Sequence, residues 1–183
     1  EPTCGTFEAG SQVMLQVAVS NYHDFTGWEG DLTGTNTPAL LAMTTNRTVT
    51  ARFTPQATTN YGTPYAWLAG YGFTTDFENA ALQIGSNAQP YWASYIAGLN
   101  PLDPLSQFTL ASQPPRGAQT NWVFAWNPAI SGRWYMVLCS TNGLTNFTVM
   151  RLIDFRWPRA AYTVDVSTLP ANTFFRARVR MAQ

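Results

Sequence analysis

Residues 122–140 read WVFAWNPAISGRWYMVLCS, and this stretch decides the fold class. Two runs rich in aromatic and aliphatic side chains, 122–126 and 134–140, are separated by a turn that contains proline and glycine. Each run has the length and composition of a β-strand. Similar runs, with turn residues between them, occupy 108–110, 147–153, 162–166 and 174–181. We therefore predict an antiparallel β-sandwich over residues 108–183.

The residues before the sandwich divide into two further segments. Residues 1–55 contain alternating apolar positions, for example Val13, Leu15, Val17 and Val19, which predict a small β-rich domain. Residues 56–107 begin as a linker and continue as short helical segments, opened by prolines that suit a first helical turn. The predicted fold is thus mainly β: a β-rich repeat domain, a short helical connector and an antiparallel sandwich.

Composition excludes several classes of function. Only 11% of the residues are charged, all ten basic residues are arginine, and the net charge is zero, which argues against binding nucleic acid through bulk charge. No apolar run approaches the ~20 residues of a membrane span. The single histidine, His23, excludes a multi-histidine metal site, and no phosphate-binding loop or nucleophile elbow is present. We therefore predict a protein that is not an enzyme and has no cofactor or metal.

Four polar residues close together in sequence are the strongest candidates for chemistry. They could form a small metal or general-base site, or the polar part of a hairpin in which Asp31 accepts hydrogen bonds from turn amides. We favour the hairpin, and the remaining enzyme class is a hydrolase that pairs Asp24 with Glu29 or Asp31. The four residues are His23, Asp24, Glu29 and Asp31.

Two other groups have a structural and a functional interpretation. Asp76 and Glu78 are most simply an N-cap and a first-turn acid of one short helix. The aromatic residues could line a sugar-binding platform, although core packing is the commoner role of tryptophan. This second group comprises Trp67, Trp92, Trp122, Trp126, Trp134, Trp157, Tyr61, Tyr65 and Tyr91.

The two cysteines, Cys4 and Cys139, lie far apart in sequence. They could form one long-range disulfide in an oxidising compartment or remain two buried thiols. Both alternatives stay open, because a bridge requires Cα atoms within about 7 Å of each other.

Charge is distributed unevenly along the chain. Residues 1–107 contain eight acidic residues and two arginines, net −6, whereas residues 108–183 contain two acidic residues and eight arginines, net +6. Arg176, Arg178 and Arg180 alternate and should share one face of the last strand. Contact between the acidic half of one copy and the basic half of the next would be heterologous, which generates rings or open filaments.

The strand 134–140 is apolar on both faces, unlike most strands of a two-layer sandwich. Trp134, Met136 and Leu138 therefore need a cover, either the helical segment of the same chain or a neighbouring subunit. Together with the three alternating arginines, they form the predicted assembly interface.

Three motifs in the first segment carry a resemblance to a known family. They are GSQVML at 10–15, FTGWEGDL at 25–32 and NRTVTARF at 46–53. This segment resembles the divergent internalin-type B-repeat of bacterial surface proteins. That family has an additional strand before the first glycine-rich turn. Because only residues 1–6 precede that turn here, we expect this strand to be absent or truncated, and the open sheet edge could recruit a strand from the next copy.

The rest of the chain resembles a C-terminal region of large exported bacterial proteins, with a thrombospondin-type-3-like connector and a fibronectin-like sandwich. The matching stretches are 62–72, 95–104 and 126–137. The resemblance implies a calcium loop before Pro90, but residues 85–89, GSNAQ, contain no carboxylate. We therefore expect no calcium there, and a loop held by packing of Trp92 and its neighbours.

These observations favour a non-catalytic extracellular structural protein of a bacterium. We expect a self-assembling surface fibre or layer with head-to-tail contacts between copies, or contacts with neighbouring domains of a larger chain. The alternative is an adhesion module that binds glycan or another surface at the C-terminus of a larger exported protein. Because the chain starts with Glu1 rather than methionine, we expect a fragment or a processed product.

Overall fold

The computed structural model describes residues 5–114, 121–153, 161–165, 167 and 169–181. The chain divides into two compact units, residues 1–78 and residues 79–183. The boundary falls inside the segment predicted as the connector. The described residues form ten strands and three short helices, which confirms the mainly β fold class.

The first unit contains two two-stranded antiparallel sheets. In one, β1 (Gln12–Leu15) pairs with β3 (Ala39–Ala42); in the other, β2 (His23–Gly30) pairs with β4 (Val49–Pro55). The alternating sequence pattern continues to Val19, but the strand ends at Leu15.

A bulge and a close backbone approach shape the β2–β4 pair. The pairing register shifts between Phe25 and Gly27, and the Phe25 ring packs edge-on against Trp28, with 5.2 Å between ring centroids. Gly30 adopts φ +95°, and a Cβ atom there would collide with the carbonyl oxygen of Thr48. Only glycine fits this position, because the backbone of the facing strand occupies the side-chain space.

The three helices begin close to the residues predicted from sequence: α1 (Tyr65–Ala69), α2 (Phe77–Leu82) and α3 (Tyr91–Ala97). Pro64 and Pro90 precede α1 and α3 in extended conformation. Gly98 ends α3 with φ 70°, the left-handed conformation that favours glycine after a helix. None of the helices described here is long and apolar enough to cross a membrane.

The second unit contains two three-stranded antiparallel sheets. One has the order β5 (Thr109–Gln113), β6 (Asn121–Asn127), β9 (Ala161–Asp165), and the other the order β10 (Phe174–Met181), β7 (Arg133–Ser140), β8 (Thr148–Ile153). These six strands correspond to the six predicted from sequence.

The core of the second unit lies between side chains from both of its sheets. Tyr135 of β7 is 1% exposed, and its ring stacks on Trp126 of β6 with 5.4 Å between centroids. The Ile130 N–H donates a 2.8 Å hydrogen bond to the Tyr135 hydroxyl, which fixes the turn between these strands. Burial raises the pKa of the Tyr135 phenol. The buried cluster contains Phe124, Trp126, Tyr135, Val137 and Val164.

Candidate interaction site

The six residues of the predicted assembly interface lie together on one face of a sheet. The antiparallel register of β10 and β7 places Arg176 opposite Leu138, Arg178 opposite Met136, and Arg180 opposite Trp134. Directly opposed residues of an antiparallel pair point to the same side of the sheet. We call Arg176, Arg178 and Arg180 the arginine row.

The apolar residues beside the arginine row are mostly covered within the chain. Met136 is 5% exposed and Leu138 is 2% exposed, whereas Trp134 is half-buried. The Arg180 guanidinium lies 4.7 Å from the Trp134 ring centroid, a cation–π contact. Met136 and Leu138 are therefore out of reach of a second copy. The accessible part of this face includes the three exposed arginines, Trp134 and two exposed apolar residues, Phe174 and Val149.

The arginine row differs from the arginines of the first unit in its partners. In the first unit, Arg47 pairs with Asp31 at 3.0 Å and Arg52 pairs with Glu29 at 2.5 Å. Within the described part of the chain, no acidic side chain forms an ion pair with the arginine row. Among the described residues, the neighbours of this row are aromatic rings: Arg180 lies over Trp134, and the Arg176 guanidinium lies 6.0 Å from the Phe147 ring centroid.

A groove of about 340 Å³ runs along the outer edge of β10, between that strand and α3. Its walls are polar and apolar in about equal parts, since Gln89 and Gln107 lie beside the apolar side chains, and one cationic side chain borders it. Three consecutive residues of β10, 177–179, line the groove, so it lies beside the backbone of that strand. The principal lining side chains are Trp92, Ile96, Leu99, Phe108, Arg178 and Val179.

Arg133, at the start of β7, has a role that the sequence analysis missed. It is 8% exposed, and its guanidinium donates hydrogen bonds of 2.7 Å to the Ile96 carbonyl and 3.0 Å to the Tyr95 carbonyl. These carbonyls belong to the last turn of α3, where a cation is favourable. Arg133 therefore fastens α3 to the sandwich. The sequence signal for this role was the position of the arginine, directly after a glycine turn and at the start of an apolar strand.

Hydrogen bonds from one buried asparagine close the loop before α3. Asn87 is fully buried; its side-chain amide donates to the Ser94 hydroxyl at 2.9 Å and its side-chain oxygen accepts from the Gln89 N–H at 3.1 Å. The Gln107 side chain also donates to the Asn87 carbonyl at 2.7 Å. These hydrogen bonds were not predicted from the sequence; packing by Trp92, which is half-buried and borders the groove, stays a prediction.

The four polar residues considered for catalysis each have separate partners. The Asp31 carboxylate accepts from the Thr48 N–H at 2.7 Å and from Arg47 at 3.0 Å, and these hydrogen bonds hold its pKa below the ordinary value. Asp24 accepts from Gln56 at 2.7 Å, and the His23 ring lies 3.2 Å from the Ser20 hydroxyl. Within the described ranges, no three His, Cys, Asp or Glu side chains come together as a metal site.

The second acidic pair, Asp76 and Glu78, lies at the start of α2. Glu78 lies in the first turn of α2 and accepts the Thr59 N–H at 2.6 Å. Asp76 has φ 51°, a left-handed conformation rather than the extended one typical of an N-cap.

The tryptophans proposed as a sugar platform have different environments. Trp126 is 3% exposed in the core, and Trp122 stacks beside Phe124 with 6.1 Å between centroids. Tyr91 is also buried, whereas Trp92 lines the groove. Trp157 lies outside the described residues.

Of the two cysteines, only Cys139 is described. It is half-buried on β7, with its Sγ atom 3.9 Å from the Thr148 hydroxyl. Cys4 lies outside the described residues, so the pairing of the two cysteines stays a prediction.

The comparisons with known proteins concern the first unit. The family model of the divergent InlB B-repeat domain matches residues 2–57. A search of curated proteins and a search of solved structures each found no match. Residues 2–57 thus contain a B-repeat-like domain, which fits a surface-exposed bacterial module of the surface or adhesion type.

Proposed function

We propose that this chain is a non-catalytic, extracellular structural module of a bacterial surface, which joins copies of itself head to tail into a fibre or layer. The arginine row is the observation that carries this proposal. The row offers three exposed positive charges on one strand, and an acidic surface of the next copy would neutralise them. The B-repeat-like domain supports the surface location.

The acidic counterpart is provided by the first half of the chain. Residues 1–107 have a net charge of −6, and both arginines in this region are already paired with acids. The remaining acidic side chains give that half a negative field, which attracts a basic strand from another copy. Because the basic and acidic surfaces differ, the contact is heterologous and does not close as a simple dimer.

The hydrogen-bonding of the polar residues supports a non-catalytic role. Asp24 and Asp31 are held by neighbouring side chains or backbone amides, and Glu29 is bound to Arg52. The carbohydrate-binding alternative has less support, because Trp126 and Tyr91 are buried in their own unit. An array of glycans tested at high protein concentration would detect it.

Light scattering of the purified chain at low and high salt tests the proposal. We expect large particles at low salt that become smaller at high salt, since screening weakens contacts between exposed charges. The double variant Arg176→Gln/Arg178→Gln should give smaller particles at low salt than the parent chain.

The matched control is Arg47→Gln/Arg52→Gln, which removes the same amount of charge from arginines that already have partners. We expect this control to retain assembly. A chain that remains monomeric at both salt concentrations, or a double variant that assembles like the parent chain, would overturn the proposal.

A further inference from the structure

Strand β10 has one side on which no described strand pairs with it and against which α3 packs in part. Within the described ranges, β10 is hydrogen-bonded to β7 and to no strand on its other side. In an antiparallel pair, every second residue directs its N–H and C=O groups away from the paired neighbour. Every second residue of β10 therefore directs its backbone groups to this side, and those that α3 does not cover are a template for an added strand.

The apolar part of the groove on this side of β10 can receive one apolar side chain from an added strand. It opens beside residues 177–179 and is walled by Trp92, Ile96 and Phe108. A strand that pairs with β10 would direct alternate side chains into the groove and toward the face of the arginine row. The best occupant thus has an apolar residue followed directly by an acidic one.

Residues 5–8, Gly-Thr-Phe-Glu, meet this requirement. All four are exposed and lie outside any strand, and the Phe7 side chain is 49% exposed although it is aromatic. The one backbone hydrogen bond that reaches this segment within the described ranges is donated by Ser11 to the Glu8 carbonyl. Phe7 and Glu8 are adjacent, so in an added strand they would point to opposite faces.

We infer that residues 5–8 of a second copy add to the unpaired side of β10, with Phe7 in the groove and Glu8 beside Arg178. The backbone hydrogen bonds supply affinity and the groove and arginine row supply specificity, as in other cases of strand addition. This inference rests on the proposed head-to-tail association and names the two surfaces that make it.

Charge reversal at both surfaces tests this arrangement. Glu8→Arg and Arg178→Glu should each reduce the association constant at least about tenfold, because each places like charges opposite one another. The double variant Glu8→Arg/Arg178→Glu, and an equimolar mixture of the two single variants, should recover association. Sedimentation velocity measures the particle size in every case.

Two further variants serve as controls. Asp24→Arg makes the same charge change elsewhere in the first unit and should not rescue Arg178→Glu. Phe7→Ala should weaken association and leave its salt dependence unchanged, and circular dichroism checks that the fold is intact.

The outcomes separate this inference from the proposed function. If Arg178→Glu abolishes association whereas Glu8→Arg and Phe7→Ala do not alter it, residues 5–8 are not the added strand and the arginine row remains the contact. If none of the variants alters association, or if Asp24→Arg rescues as well as Glu8→Arg, the pairing of Glu8 with Arg178 is wrong. A chain that is monomeric throughout overturns both proposals.

Discussion

The four strands of the first unit stabilise their polar residues in a different way from the second unit. In those strands and their turns, the ion pairs Asp31–Arg47 and Glu29–Arg52 lie at the surface, and the most buried apolar side chains, Trp28 and Leu41, are each 9% exposed. The fully buried Leu68 of this unit lies after the strands, in α1. In the second unit, Arg133, Asn87 and Ser94 are buried with their hydrogen bonds, beside a core that includes Phe124 at 1% exposure. Polar contacts that are excluded from water cost more to remove, so mutations should affect the two units unequally.

The largest effect should come from the sandwich core. Phe124→Ala should reduce the free energy of unfolding by about 3–5 kcal/mol, the usual cost of deleting a buried aromatic side chain. Phe53→Ala, its counterpart on β4, should cost less, because Phe53 is already 40% exposed. Urea unfolding monitored by tryptophan fluorescence measures both, and equal losses would contradict the contrast between the units.

Removal of Arg133 should have the next largest effect. Arg133→Ala leaves the Tyr95 and Ile96 carbonyls without their donor, and hydrogen bonds to a charged group contribute about 1.5–3 kcal/mol. Arg52→Ala, which breaks an exposed ion pair, should leave the urea midpoint almost unchanged. Equal urea midpoints for the two arginine variants would mean that the buried contact of Arg133 stabilises the fold no more than the exposed ion pair of Arg52.

A smaller loss is expected at the loop before α3. Asn87→Ala removes the hydrogen bonds to Ser94 and Gln89 and should cost about 1–3 kcal/mol, whereas Ser94→Ala should cost less because fewer partners lose their bonds. Since residues 85–89 contain no carboxylate, calcium or a chelator should not shift the thermal midpoint of the parent chain. A rise of the midpoint with calcium would contradict this interpretation of the loop.

The smallest effect should be the pH dependence of the first unit. The pKa of Asp31 is lowered by the Thr48 N–H and by Arg47, so its contribution to stability is present above the ordinary carboxyl pKa. That contribution is lost as the pH falls through the lowered value. The difference in thermal midpoint between the parent chain and Asp31→Asn should therefore shrink from neutral to strongly acidic pH, and a constant difference would contradict it.

The sequence predicted the strands of the sandwich well because their aromatic and β-branched runs are separated by clear turn residues. It did not single out β3, because ALLA at 39–42 has weak β propensity and takes its conformation from pairing with β1. The end of β1 at Leu15 was also missed, since the alternation continues to Val19. In both cases the pairing partner, rather than the local pattern, determines the strand.

The sequence predicted which residues share the face of the candidate site, but it did not predict how exposed each of them is. Alternation alone placed the three arginines on one face, and the register with β7 then brought Trp134, Met136 and Leu138 beside them. Burial of Met136 and Leu138 depends on contacts between distant parts of the chain, which a sequence pattern does not contain. The sequence did not reveal the contact of Arg133 with α3 for the same reason: its partners are backbone carbonyls that precede it by more than 30 residues.

The contact of Arg133 with the end of α3 has a mechanical consequence. The covalent path from Ile96 to Arg133 runs through β5 and β6, but the guanidinium joins the two directly. A pulling force that enters through α3 is therefore shared between the covalent chain and these hydrogen bonds, which deliver part of it straight to the central strand β7. Shearing the helix from the sandwich would first have to break this link, so Arg133 protects the strands β5 and β6 from tension.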